Sequence, residues 1–161
     1  MTANRAEKVF KEWLDKHRYP YIYVEQSPST FAQFFRDEIN ACRPDFLIVI
    51  EGLGLIAVDV KGKDRAVYYV DKEKTAKIII DTDDAQRAIK FERIFRIPFW
   101  FAVSGQDSGY SMWYWISASM VLEASDYEGK SSKDGKKYYA VPLHYCRTID
   151  ISRDGLERII L

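Results

Sequence analysis

Residues Arg43–Lys63 read RPDFLIVIEGLGLIAVDVKGK: two apolar runs around a glycine-rich turn, with Asp45, Asp59 and Lys61 set into them. A strand buried on both faces normally excludes such groups, because an unpaired buried charge is costly. With the turn centred near Gly52, an antiparallel hairpin sets Asp45 opposite Asp59, within one residue of register. The two-residue strand period puts Leu55, Ala57, Asp59 and Lys61 on one face and Ile56, Val58 and Val60 on the other. Directly opposed side chains have Cβ atoms about 4.5–5.5 Å apart, and like charges there destabilise the pair. One of the two carboxyls is then expected to hold its proton unusually tightly. A hard divalent cation removes the conflict, since magnesium takes one or two carboxylates plus water and phosphate oxygens. Lys61, one pleat along, reaches a phosphate or a water on that cation. The plainer reading is a surface salt bridge between Lys61 and an aspartate; the near-continuous apolar flanks speak against it.

Working outward, Asn4–His17 reads as a helix capped by Asn4, with Val9, Phe10, Trp13 and Leu14 at helical spacing. Tyr21–Glu25 alternates as a strand. Ser27–Ile39 reads as a second helix, with Phe31, Phe34 and Phe35 on one face. Strands follow near Asp45–Ile50 and Leu55–Lys61, and a short one is expected at Lys77–Ile80. Asp83–Phe95 reads as a helix, acidic at its start and basic at its end, which suits the helix dipole. Pro98–Val103, Met112–Ser117 and Lys137–Val141 read as strands, and Ile149–Leu161 fits either class. Mixed helices and strands predict an α/β fold around one sheet.

The 161 residues, 47% of them hydrophobic, fit a single domain spanning 1–161. No repeat, Pro/Gly-rich linker or apolar run of membrane-spanning length stands out. The charged N-terminus lacks the apolar core of a signal peptide. Two cysteines, Cys42 and Cys146, without a CxxC or Cys/His cluster, suggest a reducing, cytoplasmic setting and no structural zinc. Net charge is zero, from 24 basic and 24 acidic residues, so any grip on a polyanion has to come from a local patch.

Pro44-Asp45 followed by Asp59-Val60-Lys61 resembles the signature of the PD-(D/E)XK nuclease superfamily, which includes restriction endonucleases and Holliday-junction resolvases. The order helix, strand, motif hairpin, helix, strand is similar too, over roughly residues 5–104; the 27–39 helix is an insertion relative to that pattern. The resemblance implies a restriction-endonuclease-like core, a central mixed sheet flanked by helices. It also implies a magnesium-dependent endonuclease, with manganese as a substitute, acting on nucleic acid and on DNA in preference to RNA. Asp45, Asp59, Glu7 and the Val60 carbonyl would hold the metal, and Lys61 would serve the reacting phosphate. The three-residue D/E-x-K pattern by itself is weak: Glu128-Gly129-Lys130 and Asp134-Gly135-Lys136 match it also, in a polar, turn-rich stretch. Only Asp59-Val60-Lys61 lies in an apolar run, and Pro44-Asp45 is the sole Pro-Asp among five prolines.

Glu7, with Glu12 second, is the candidate glutamate of the first helix, against an ordinary first-turn acid. Glu25 reads as a solvated strand end. Gln86 and Lys90 are weak substrate-contact candidates, against an exposed helix face. His17, His144 and both cysteines lack a catalytic partner, and no phosphate-binding glycine loop or nucleophile elbow is present. Tyr110–Trp115, YSMWYW, suits a core strand, a homodimer contact or base stacking. Lys130–Lys137, KSSKDGKK, is a basic loop that reads as a solvated hairpin tip or a phosphate contact. The rival to an enzyme is an inactive nuclease-like scaffold that binds nucleic acid or protein; a phosphohydrolase of nucleotides is the third reading.

Overall fold

A computed structural model describes residues 2–27, 29, 32, 39–69 and 75–160. In chain order the elements are α1 (Thr2–Lys16), β1 (Tyr21–Tyr23), β2 (Phe46–Ile50), β3 (Gly54–Lys63), β4 (Tyr68–Tyr69), β5 (Ala76–Asp81) and α2 (Thr82–Phe95). Then come β6 (Phe99–Gly105), β7 (Met112–Ser117), α3 (Ala118–Ala124), β8 (Tyr127–Lys130), β9 (Lys137–Pro142), β10 (Arg147–Asp150) and α4 (Glu157–Ile160). The main sheet has six strands in the order β1-β2-β3-β6-β7-β10. It is mixed: β3 and β6 run parallel, and the other neighbours are antiparallel. A parallel pair needs a long crossover, and here it carries β4, β5 and α2.

Helices cover both faces because the central strands are apolar on both. Ile56, Val58 and Val60 of β3 join Ala6, Phe10, Trp13 and Leu14 of α1 in one buried cluster. Ala57, with Phe99, Phe101 and Val103 of β6, joins Ala85, Ala88 and Phe91 of α2 in the other. The β2–β3 turn is where the sequence places it: Ile50 pairs with Gly54, leaving Gly52 central, and both glycines adopt positive φ (85° and 101°) that side-chain-bearing residues avoid.

Several expectations need correction. The fold has a second sheet, four strands in the order β4-β5-β9-β8. Its β8 contains Glu128-Gly129-Lys130, so that pattern lies on an exposed edge strand and not in a loop. The α1 helix begins at Thr2, so Asn4 is inside it and is no cap. The ambiguous C-terminal stretch divides into the end of β10 and α4, and α3 had no distinct signal. The 27–39 helix falls mostly outside the described residues. Trp113 and Trp115 are fully buried, packed about 5.2 and 5.5 Å from Phe10 ring to ring. Since β7 lies between β6 and β10, it has neither a free edge nor exposed tryptophans for a homodimer or for bases. No helix among the described residues is long and apolar enough to cross a membrane.

Candidate active site

The β2–β3 register runs as far as Phe46–Val58, and Asp45, just before Phe46, lies close enough to Asp59 for the two carboxyls to interact. The Asp45 N–H donates to the Val58 carbonyl at 2.9 Å, so the ladder continues to that point. Its carboxylate turns inward, where Oδ2 accepts the Val60 N–H at 2.7 Å. Asp45 is the group that bears the expected strain. Burial, the Asp59 charge and a side-chain hydrogen bond with Asp59 push its pKa up to about 9, against the Val60 hydrogen bond that lowers it. In the metal-free chain Asp45 therefore holds its proton more tightly than a free aspartate does.

Lys61 lies on the α2 side of β3, and its ammonium sits between two carboxylates, 2.7 Å from Asp84 Oδ2 and 3.0 Å from Asp59 Oδ2. The Asp84 contact is a hydrogen bond. The Asp59 oxygen is buried, and the Lys61 ammonium is the partner that offsets its charge. Burial would lower the Lys61 pKa; Asp59 and Asp84 more than reverse this, and the side chain stays an ammonium. Asp84 is the residue that the sequence reading missed. The Asp83–Asp84 pair was legible only as acid at a helix N-terminus, whereas the turn from β5 into α2 delivers Asp84 to Lys61. Lys63 continues the same face, donates to the Ile79 carbonyl and is held down by burial to a pKa of about 8.

Glu7 approaches from α1. Tyr23 is its hydrogen-bond partner, while its Oε1 is buried with none. Burial first, and then the Asp59 charge, raise its pKa against the Tyr23 hydrogen bond that lowers it. A groove of about 270 Å³ opens beside it, lined by Glu7, Lys8, Lys11, Tyr23 and Phe46. A larger concavity of about 590 Å³ lies at the turn end of the hairpin, by Arg18, Val49 and Glu51, away from the carboxylates. Glu12 and Glu25 are exposed. Gln86 and Lys90 share the exposed face of α2, opposite the buried stripe Ala85–Ala88–Phe91. Cys42 is a neighbour of the charged group, but burial pushes its thiol far up, so it offers no nucleophile. His17 and His144 are exposed and lie against Tyr19 and Tyr145.

Among the described residues, no three His, Cys, Asp or Glu side chains stand ready to hold a metal ion. The Lys61 ammonium takes the place of a cation between Asp59 and Asp84. The oxygens nevertheless suit a hard cation held by two carboxylates and main chain. Asp45 and Asp59 are forced together, and a buried oxygen of Glu7 lacks a hydrogen-bond donor.

No family model and no curated protein matches the chain by sequence. By structure it is similar to Hjc, a Holliday junction resolvase from Archaeoglobus fulgidus, at 15% identity and a TM-score of 0.52, over 92% of this chain and 96% of that one. It is also similar to D212, a nuclease from a fusselovirus, at 15% identity and a TM-score of 0.45, over 97% of this chain and 83% of that one. The fold is thus the resolvase, restriction-endonuclease-like one, and the likeness extends past residue 104, where the motif resemblance stopped.

Proposed function

We propose that this chain is a magnesium-dependent endonuclease that hydrolyses phosphodiester bonds of nucleic acid, with DNA as substrate. The observation that carries this is the hairpin: on a nuclease fold, Asp45 and Asp59 are driven together in a buried setting with Lys61 beside them. Asp45, Asp59 and the Val60 carbonyl would hold the ion, and Glu7 would complete its outer shell from α1. Bound there, the metal supplies a Lewis acid for the scissile phosphate and makes water more acidic. The chain's own part is electrostatic and positional. Lys61, fully protonated, offers its ammonium to the charge that grows on the phosphate oxygens, and Asp84 fixes where that ammonium points. Gln86 and Lys90, on the outer face of α2, are at most peripheral contacts. A cytoplasmic setting rests on two free thiols, Cys42 and Cys146.

The rival reading, a binding scaffold without activity, draws on the Lys61 bridge, which already neutralises Asp59 without a metal. One assay separates the two. Labelled linear DNA, a four-way DNA junction and RNA are incubated with magnesium, with manganese and with chelator. Metal-dependent cleavage of DNA that disappears in Lys61→Ala is expected; binding without cleavage in every metal would establish the scaffold instead.

A further inference from the structure

The strand that feeds α2 joins the charged site to an exposed hairpin. Asp84, which grips Lys61, lies three residues after Asp81, the last residue of β5. Asp81 pairs with Tyr138 of β9, and Tyr138 pairs in turn with Gly129 of β8. Lys63 ties in from the other side through the Ile79 carbonyl. One rung beyond Tyr138–Gly129 is Lys130–Lys137, and there the chain turns through residues 131–136. The tip of β8–β9 therefore begins next to the cluster that holds Lys61.

That tip is built to present positive charge. Lys130, Lys133, Lys136 and Lys137 are all exposed, and none of them takes part in the ion pairs found among the described residues. Its one acid, Asp134, is turned back onto the chain, where Oδ1 accepts the Lys136 N–H at 3.0 Å. The turn is fastened by Ser131 N–H to the Lys136 carbonyl at 2.8 Å and Gly135 N–H to the Ser131 carbonyl at 2.9 Å. At its base Tyr138 lies across Gly129 so closely that a Cβ there would be 2.3 Å from the Tyr138 hydroxyl. The glycine of the Glu-Gly-Lys pattern thus makes room for the Tyr138 ring. Since the whole chain carries no net charge, only such a local patch attracts a polyanion.

We propose that the β8–β9 hairpin is an arm that grips the phosphate backbone of the nucleic-acid substrate beside the site of cleavage. The register places the Lys130–Lys137 rung one strand residue, about 3.3 Å, past the Asp81–Tyr138 pair, with residues 131–136 turning beyond it. The substrate's identity rests on the nuclease reading; the grip itself is measured by binding alone.

The test uses the full chain carrying Lys61→Ala, so that DNA is bound and not cut, with a linear duplex and a four-way junction across 50 to 200 mM salt. Alanine at Lys130, Lys133, Lys136 and Lys137 together is expected to weaken binding about tenfold at low salt. It is also expected to shrink the log–log salt slope by about two, the equivalent of about two phosphate contacts at close to 0.9 each. Arginine at the same four positions is expected to restore both. Unchanged affinity and slope in the alanine variant overturns the arm. Should that variant melt early, the pairs Lys130→Ala/Lys137→Ala and Lys133→Ala/Lys136→Ala are read in its place by the same criterion. A wild-type chain that binds DNA with the full slope yet cuts nothing would sink the nuclease reading and leave the arm standing.

Discussion

Two hairpins of this molecule carry the same acid-x-lysine pattern, and their surroundings separate them. In β3, Asp59 and Lys61 flank a residue in the middle of a six-stranded sheet, with apolar clusters on both sides. In β8, Glu128 and Lys130 stand exposed on the outer strand of a smaller sheet, and Asp134 and Lys136 sit on its turn. Environment shows in the protons. Burial and the Asp59 charge push Asp45 up to about 9, whereas the Lys136 N–H holds the exposed Asp134 below its usual value. Charges crowded out of water need a metal or an ammonium to be tolerated; the same charges in water need nothing. The first arrangement suits bond cleavage, the second a grip on phosphate.

The sharpest way to break this contrast is to treat the two patterns alike. Lys61→Ala is expected to lower magnesium-dependent cleavage by about 10³-fold or more, while Glu128→Gln stays within about two-fold, since only the former aims a donor at developing charge. Comparable losses in single-turnover assays would erase the distinction. Next in size is Asp84→Ala. Removing the hydrogen bond that orients Lys61 is expected to cost about 10- to 100-fold in rate, as for other outer-shell partners, with DNA affinity unchanged. A loss confined to affinity would contradict the positioning role.

Asp45 sharpens the contrast through stability. Its folded carboxyl keeps a proton up to about pH 9, while the unfolded chain releases it near 3.9. Folding takes up a proton in that window, so this contribution is complete below pH 4 and is lost as pH rises toward 9. Asp45→Asn, which cannot ionise, is expected to gain about 2 kcal/mol over the metal-free parent at pH 9, or about 4–8 °C in Tm. The gain should vanish below pH 4, and a variant that melts lower at pH 9 would refute the account. On the proposed nuclease reading magnesium would expel the same proton, so calorimetry at pH 8 in buffers of differing ionisation enthalpy is expected to show close to one proton released per ion. The smallest effect belongs to Gln86→Ala and Lys90→Ala, each within about two-fold in cleavage, because a rim charge facing solvent contributes little; a larger loss would restore the outer face of α2 as a substrate contact.

Much of the fold was legible because its signals are local. The Gly52 turn, the apolar runs of β2 and β3 and the Phe10–Trp13–Leu14 spacing of α1 act over a few residues. The second sheet was not legible, since β5 and β9 meet across the intervening residues 82–136 and no local pattern announces which strands pair. YSMWYW was open to three readings from composition alone; β7's place inside the sheet selected the core. Glu7 was an even choice between a catalytic and an ordinary helix acid, and only the packing of α1 on β3 brings it within the field of Asp59.

By itself the sequence determined the hairpin, the register that brings Asp45 to Asp59, and the face shared with Lys61, because a turn and a two-residue period are enough to specify them. The tertiary structure decided what those charges meet. It brought Asp84 to Lys61, left a buried Glu7 oxygen without a donor, and paired the end of β5 with the base of the lysine-bearing β8–β9 hairpin. Such encounters depend on how distant segments pack and on how much water they exclude, and no run of neighbouring residues encodes either.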